Sequence, residues 1–307
     1  MELVSHPALA ELHPTFGHPE STERLRVLLD AFPEFREGRP ATEEEVGRCH
    51  SLRVLELLES IDDPVYVEPN TIASRTSLEA ALLAAGCAVE AARTGGFALV
   101  RPPGHHATPV ASFGFCLLNN IAIAARALQA EGEAERVAIV DFDVHHGNGT
   151  QDIFWADETV FYASIHQHHI FPGSGGPHEQ TATNVNVPLA AGSSDAEWLG
   201  AFDGRIGPAI ERFAPDVVLV SAGFDAHEDE DLYLVDMRVT EDGFRELGRR
   251  CAGLAPRVAA VLEGGYNVEL LPTPGRRRAR RALPIGRRPL AGPPSACVRA
   301  TVTQNLI

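Results

Sequence analysis

The sequence predicts an α/β chain whose parallel sheet is covered by helices on both faces, and three observations carry that expectation. Short apolar runs of strand character alternate with stretches of helical character through the middle and end of the chain; strands separated by helices imply right-handed βαβ units and a parallel sheet. Clusters of polar residues fall just after four of those runs, at the edge where an open α/β sheet forms its binding crevice. At 307 residues and 44% hydrophobic content, the chain can bury a sizeable core, as one large domain or two small ones.

Taken in order, the first clear element starts at Thr76-Ser77-Leu78-Glu79, where threonine followed three positions on by glutamate has the form of a capping box. An alanine-rich helix runs from it to about Arg93 and stops at Gly95-Gly96. Phe97-Ala98-Leu99-Val100 is a strand that enters a Pro-Pro-Gly turn. A helix spans Asn120 to Ala130, and Val137-Ala138-Ile139-Val140 and Val160-Phe161-Tyr162-Ala163 read as buried strands. A helix over 198–213 precedes the strand Val217-Val218-Leu219-Val220, and one over about 241–254 precedes Val258-Ala259-Ala260-Val261-Leu262. The polar clusters after four of these strands are 101–106, 141–148, 221–227 and 263–266, which are therefore expected to converge in space. No internal repeat is visible.

Composition narrows the function classes. No stretch approaches the ~18 consecutive apolar residues of a membrane span, and the N-terminus lacks a basic region followed by an apolar one, so no signal peptide is expected. The five cysteines are scattered, with no Cys-x-x-Cys pair, which suggests a reduced, cytoplasmic protein without a cysteine-based metal site. All 26 basic residues are arginine and the formal charge is −16. That balance argues against nucleic-acid binding, which needs a basic face; it favours approach of a cationic substrate, or serves solubility alone. Nothing in the sequence sets the oligomeric state.

The densest cluster is Asp141-Phe142-Asp143-Val144-His145-His146-Gly147-Asn148-Gly149. In an extended segment Asp141, Asp143 and His145 point to one side. One carboxylate and one imidazole from it can bind a metal, with Asp225 of Ser221-Ala222-Gly223-Phe224-Asp225 as the third ligand; three protein ligands leave a position for water, as in catalytic zinc sites. The alternative is a capped loop with satisfied polar groups. His105-His106 can take a proton from water and return it to a leaving amine, with Asp141 and Asn148 available to set their tautomers. Tyr266, after Glu263-Gly264-Gly265, can donate to an oxyanion if it faces the metal; otherwise Gly264-Gly265 is a turn and Tyr266 a half-buried ring.

Arg101-Pro102-Pro103-Gly104-His105-His106-Ala107, Gly114-Phe115-Cys116, Asn119-Asn120, the run from Asp141 to Gly149, Phe171-Pro172-Gly173-Ser174-Gly175, the run from Ser221 to Asp225 and Gly264-Gly265-Tyr266 together resemble the zinc-dependent histone deacetylases. The match runs in order from about His13 to Leu270. Asn148, where class I enzymes carry aspartate, points to the class II-like branch, with bacterial histone deacetylase-like amidohydrolases and acetylpolyamine amidohydrolases. The resemblance implies the arginase–deacetylase fold, a three-layer α/β/α domain around a mainly parallel eight-stranded sheet, here a single deacetylase domain over 1–270. It implies hydrolysis of acetyl-lysine in peptides or proteins, or of acetylpolyamines, with release of acetate. By motif position, Asp143, His145 and Asp225 become ligands of Zn²⁺, with Fe²⁺ able to replace it. His106 with Asn148 becomes the principal general base and acid, His105 with Asp141 its electrostatic partner, and Tyr266 the carbonyl-polarising donor. Phe115 and Phe171 become walls of a substrate tunnel also lined by Gly114, Gly264 and Gly265, with Leu232 near its mouth. Asp141, Asp143, His145, Ser164 and Ile165 match a structural K⁺ site.

The chain departs from the family at Glu230-Asp231-Leu232, where an Asp-Pro-Leu turn is common, and the segment up to Thr240 is about two residues longer than usual. The loop from Val65 to Ser77 offers no clear rim acid. Two other functions stand beside the deacetylase. One is an arginase-like two-metal ureohydrolase, for which extra carboxylates are missing; the other is a catalytically weak acyl-lysine binding module, for which a metal ligand or Tyr266 would be lost.

Residues 271–307 carry eight arginines, six prolines, three glycines and no acid, with no helical or strand period. They read as a basic arm that binds nucleic acid or an acidic partner, as a plain disordered extension or, the reading favoured here, as the product of a shifted frame in GC-rich DNA. Translating the other two frames of the coding DNA after Leu270 is expected to yield an amphipathic helix. If neither frame encodes one, the frameshift reading fails.

Overall fold

In the computed structural model, which describes residues 1–270, a sheet of eight strands is flanked by helices. In chain order the elements are β1 (Leu3–Ser5), α1 (Thr22–Ala31), β2 (Arg36–Glu37), α2 (Glu43–Gly47), α3 (Leu52–Glu59), β3 (Val65–Glu68), β4 (Thr71–Ala73), α4 (Ser77–Thr94), β5 (Phe97–Ala98), α5 (Asn120–Ala130) and β6 (Val137–Asp141). They continue with α6 (Asn148–Phe154), β7 (Val160–Gln167), β8 (Asn184–Leu189), α7 (Asp195–Ala201), α8 (Gly207–Phe213), β9 (Val217–Ala222), α9 (Glu241–Ala252) and β10 (Arg257–Leu262). The sheet order is β2-β1-β5-β10-β9-β6-β7-β8, and each neighbouring pair is parallel. Among the described strands, those of the small β3–β4 hairpin pair antiparallel. The reading of residues 271–307 lies outside the described residues.

Register is what positions the site. Val4 pairs with Ala98, Ala98 with Val261, Val261 with Ser221, Ser221 with Asp141, Asp141 with Ser164 and Ser164 with Asn186. One row therefore crosses the sheet, and the segments after β5, β10, β9 and β6 emerge side by side. Those are the four segments that carry the polar clusters.

The central strands are buried on both faces, which is why they read as unbroken apolar runs. Helix α4 is buried almost all round, and its alanines lie against α5, β5 and β10. Its first turn differs from expectation. Thr76 forms no side-chain cap; its Oγ1 instead accepts the His13 N–H at 3.1 Å, and Ser77 Oγ accepts the Ser74 N–H at 2.7 Å. A tertiary partner outcompetes the capping box. The helix expected over 198–213 is interrupted by a π turn at Phe202–Ile206, next to Pro208, which has no N–H for the preceding turn.

The edge strands β2 and β8 escape the apolar pattern. Along β8 Asn184 and Asn186 alternate with valines, and Gln180 mimics a missing neighbour: its Nε2 donates to Asn186 O and its Oε1 accepts the Asn186 N–H. The side chain blunts an edge that would otherwise offer free backbone groups. No helix among the described residues is long and apolar enough to cross a membrane.

Candidate active site

The loop after β6 winds on its own carboxylates. Asp141 Oδ1 accepts the Asp143 N–H at 3.2 Å, and Asp143 Oδ1 accepts the His145 N–H at 2.9 Å. Each acid thus turns the chain by two residues, which aims Asp143 and His145 the same way. Asp225, after β9, joins them by accepting the Val144 N–H at Oδ1, 2.9 Å, and Gly264, after β10, donates to Asp143 Oδ2 at 2.8 Å. His145 Nδ1 faces Asp143 Oδ1 at 3.1 Å and Asp225 Oδ2 at 3.2 Å. The ligand atoms of Asp143, His145 and Asp225 lie within 4.8 Å of one another.

A divalent cation fits this arrangement. Asp225 Oδ2 is buried and accepts no hydrogen bond among the described residues, despite its approach to His145. An orphaned carboxylate oxygen costs several kcal/mol unless a cation satisfies it. Two carboxylate oxygens and one imidazole nitrogen are an ordinary donor set for zinc-type ions. The approach is tight: a Cβ at Gly264 would run into Asp225 Oδ2, and one at Gly223 into Asp143 Oδ2.

The charges point the same way. Burial raises the Asp225 carboxyl to about 6, with the charge of Asp143 adding to it. Burial likewise lifts Glu263 to about 7. Burial opposes charge on His105 and His145, yet the neighbouring carboxylates outweigh it, raising His105 to about 10, chiefly through Asp143 and Asp141, and His145 to about 9, through Asp143 and Asp225. A pocket that strains its acids and charges its histidines carries surplus negative potential.

The tandem histidines are held in different states. His105 Nδ1 lies 3.1 Å from Asp141 Oδ2, which also accepts the Tyr162 hydroxyl at 3.0 Å. His106 Nδ1 lies 2.8 Å from Asn148 Oδ1, and Asn148 Nδ2 points at His106 O, so Nδ1 carries the hydrogen and Nε2 is left to accept. Burial, then the charges of His105 and His145, hold His106 well below the usual imidazole range. One ring is kept charged and its neighbour neutral. Glu263 fixes the turn that carries them, accepting the Gly104 and His105 N–H groups at 2.6 and 3.2 Å and the Ser221 hydroxyl at 3.1 Å.

Aromatic rings flank the centre on two sides. Phe171 meets His106 edge-on at 5.0 Å and His145 at 6.2 Å, while Phe115 meets Tyr266 at 5.5 Å and His18 at 4.3 Å. Gly114 and Phe115 both have positive φ, +57° and +70°, in a two-residue turn closed by reciprocal bonds between Phe113 and Cys116. A Cβ at Gly114 would lie 2.6 Å from the His106 ring and 2.8 Å from Phe171. Ser164 pairs with Asp141 across β6–β7, its Oγ 2.9 Å from His166 Nδ1, and Ile165 follows it in β7. Leu232 lies in a turn closed by the Val235 N–H. Gly265 has φ +112°.

Several groups were not foreseen. Phe113 stacks on Phe171 at 5.0 Å. Arg24 Nε donates to Gly265 O at 2.7 Å and its Nη2 to Glu263 O at 2.6 Å, with the guanidinium 4.6 Å over the Tyr266 ring. Glu20 ties Arg24 at 3.2 Å to Arg101, whose Nη2 lies 2.8 Å from Glu20 Oε2. The one legible signal was the Glu20–Arg24 spacing of four, although Glu20 itself precedes α1. Burial would push the Glu20 carboxyl up, but Arg101, His13 and Arg24 hold it below the usual range.

The family model for the histone deacetylase domain matches residues 18–275. A relative named histone deacetylase 10, chloroplastic, from Oryza sativa subsp. japonica is 37% identical, over 84% of this chain and 68% of its own length. A probable deacetylase of Archaeoglobus fulgidus is also 37% identical, over 87% of this chain and 81% of its own. The solved structure titled as the HDA15 HD domain is 35% identical with a TM-score of 0.82, covering 87% of this chain and 86% of that one.

The depressed Glu20 carboxyl predicts a signed pH effect. A group whose folded pKa lies below its unfolded value of about 4.3 stabilises the fold above that pH, and the stabilisation is lost as pH falls through the folded value. Glu20→Gln should therefore cost on the order of 3 kcal/mol at pH 7, with the deficit shrinking as pH drops below about 4. Urea unfolding of both proteins from pH 7 to pH 3 measures it. A deficit that does not change with pH would mean Glu20 is not held ionised.

Proposed function

The chain belongs to the histone deacetylase family, and on that footing we propose that it hydrolyses N-acetyl amides on cationic amines, either acetyl-lysine in peptides and proteins or acetylpolyamines, releasing acetate. The observation that carries this reading is the convergence of Asp143, His145 and Asp225 around an unsatisfied buried oxygen, beside one charged and one neutral histidine.

In this reading Asp143, His145 through Nδ1, and Asp225 hold a single Zn²⁺ or Fe²⁺. When bound, such an ion polarises the amide carbonyl and makes water a better nucleophile at neutral pH. His106 is the proton carrier. Its Nε2 faces no competing proton because Nδ1–H is spent on Asn148, so it accepts from water and delivers to the leaving amine. His105, kept cationic by Asp141 and Asp143, compensates charge as the tetrahedral centre forms. Tyr266 supplies the remaining donor: burial holds its hydroxyl protonated far above neutral pH, so it gives a hydrogen bond to the carbonyl oxygen. Phe115 and Phe171 flank the methylenes of the substrate, Gly114, Gly264 and Gly265 leave room for the chain, and Leu232 sits near the mouth. Asp141, Asp143, His145, Ser164 and Ile165 would hold a structural K⁺.

The choice of a cationic amine rests on charge. The protein carries −16 overall, and an acidic field speeds the arrival of cations while salt screens it. With zinc-loaded protein, acetyl-lysine peptides that carry a further basic residue and acetylpolyamines should give a higher kcat/KM than neutral N-acetyl amides of equal length, the preference fading in salt. Tyr266→Phe should lower kcat about 10²–10³-fold with metal content unchanged. Equal rates for cationic and neutral substrates at low salt would contradict the substrate class. Wild-type turnover by Tyr266→Phe would contradict the mechanism.

A further inference from the structure

The chain leaves β10 at Leu262, and Tyr266 stands four residues beyond, on backbone without a strand partner of its own. The preceding residue, Gly265, has φ +112°, a conformation in which glycine turns its peptide plane at little cost. Rotation of the Gly265–Tyr266 peptide would swing the tyrosine away from the centre. Two charged side chains prevent it, because they hold the two polar atoms of that one peptide. Arg24 Nε donates to its carbonyl, Gly265 O, at 2.7 Å. Glu230 Oε2 accepts its N–H, from Tyr266, at 2.9 Å, and also the Asn267 N–H at 3.3 Å.

Glu230 belongs to the segment that runs from Asp225 to Thr240. That segment is anchored on both sides. The Glu230 N–H donates to His227 O and the Glu228 N–H to Val239 O. Farther along, Gln167 grips Leu234 O at 2.9 Å and the Asp236 N–H at 2.8 Å with its side-chain amide. Asn267 closes the contact from the other direction, its Nδ2 donating to Asp229 O at 2.8 Å.

We propose that Glu230 is a positioning residue for Tyr266: its carboxylate locks the Gly265–Tyr266 peptide opposite Arg24, so the rim segment sets where the tyrosine hydroxyl stands. The proposal rests on the reading of Tyr266 as the carbonyl donor. A charge-assisted acceptor on two successive N–H groups is stronger than a neutral one, and displacement of a donor by about 1 Å can cost up to about a hundredfold in rate.

The test is a double-mutant cycle on the zinc-loaded full chain with an acetyl-lysine peptide, combining Glu230→Ala or Glu230→Gln with Tyr266→Phe. Metal content and urea midpoint are measured for each protein. Glu230→Ala is expected to lower kcat between about tenfold and a hundredfold with KM little changed. Glu230→Gln, which keeps an acceptor oxygen, should recover most of the loss. In the Tyr266→Phe background Glu230→Ala should cost nothing more, since its effect passes through the missing hydroxyl. Equal loss in both backgrounds, or unchanged kcat in Glu230→Ala alone, overturns the proposal while leaving the tyrosine's role standing. Wild-type turnover by Tyr266→Phe alone overturns that role and the proposal with it.

Discussion

Negative charge buried at the carboxyl edge of the sheet is the constraint on which the rest of the site depends. Asp141, Asp143, Asp225 and Glu263 are all fully enclosed, and burying even one carboxylate is expensive unless it is paired. Most of their oxygens are satisfied internally, by the N–H groups of Asp143, Val144, His145, Gly264 and Gly104, by the Ser221 and Tyr162 hydroxyls, and by His105. The exception is Asp225 Oδ2. Asp143 and Asp141 raise the pKa of His105, Asp143 and Asp225 raise that of His145, and the surplus negative potential makes a cation the natural complement. Burial, with the charges of His105 and His145, keeps His106 neutral beside them, while Asn148 takes its Nδ1 hydrogen without adding a negative charge. Two adjacent histidines are thereby held in different charge states.

The fold supplies the alignment this requires. Parallel pairing in one continuous register brings the ends of β5, β10, β9 and β6 into a row, so segments over a hundred residues apart meet without long loops. What register cannot do is orient the backbone beyond the strands. There charged side chains take over: Glu263 for the histidine turn, Asp143 and Asp225 for the loop after β6, Arg24 with Glu20 and Arg101 for the tyrosine turn. Rigidity at the centre is obtained by hydrogen-bonding backbone to charge rather than strand to strand.

This division also explains how much could be read from the sequence. The central strands and the helices over 77–94 and 120–130 were legible because they are buried apolar runs and regular helices, whose signal is local. The position of the polar clusters after four strands was legible for the same reason. The edge strands β2 and β8 were not, since one is two residues long and the other alternates asparagine with valine. Thr76 misled because its hydroxyl serves His13 rather than its own helix. Arg24 was invisible because its partners are backbone carbonyls 239 and 241 residues away, and no spacing rule reaches a carbonyl. Phe113 escaped because it touches Phe171 only through the loop that brings them together.

The central claim is that Asp143, His145 and Asp225 form a site for one divalent cation. Calorimetric titration of zinc into metal-stripped protein, with the unfolding temperature recorded before and after, tests it most directly and needs no substrate. The account predicts one equivalent bound per chain and a rise in unfolding temperature, both lost in Asp225→Ala. No binding, two equivalents, or undiminished binding by Asp225→Ala would contradict it.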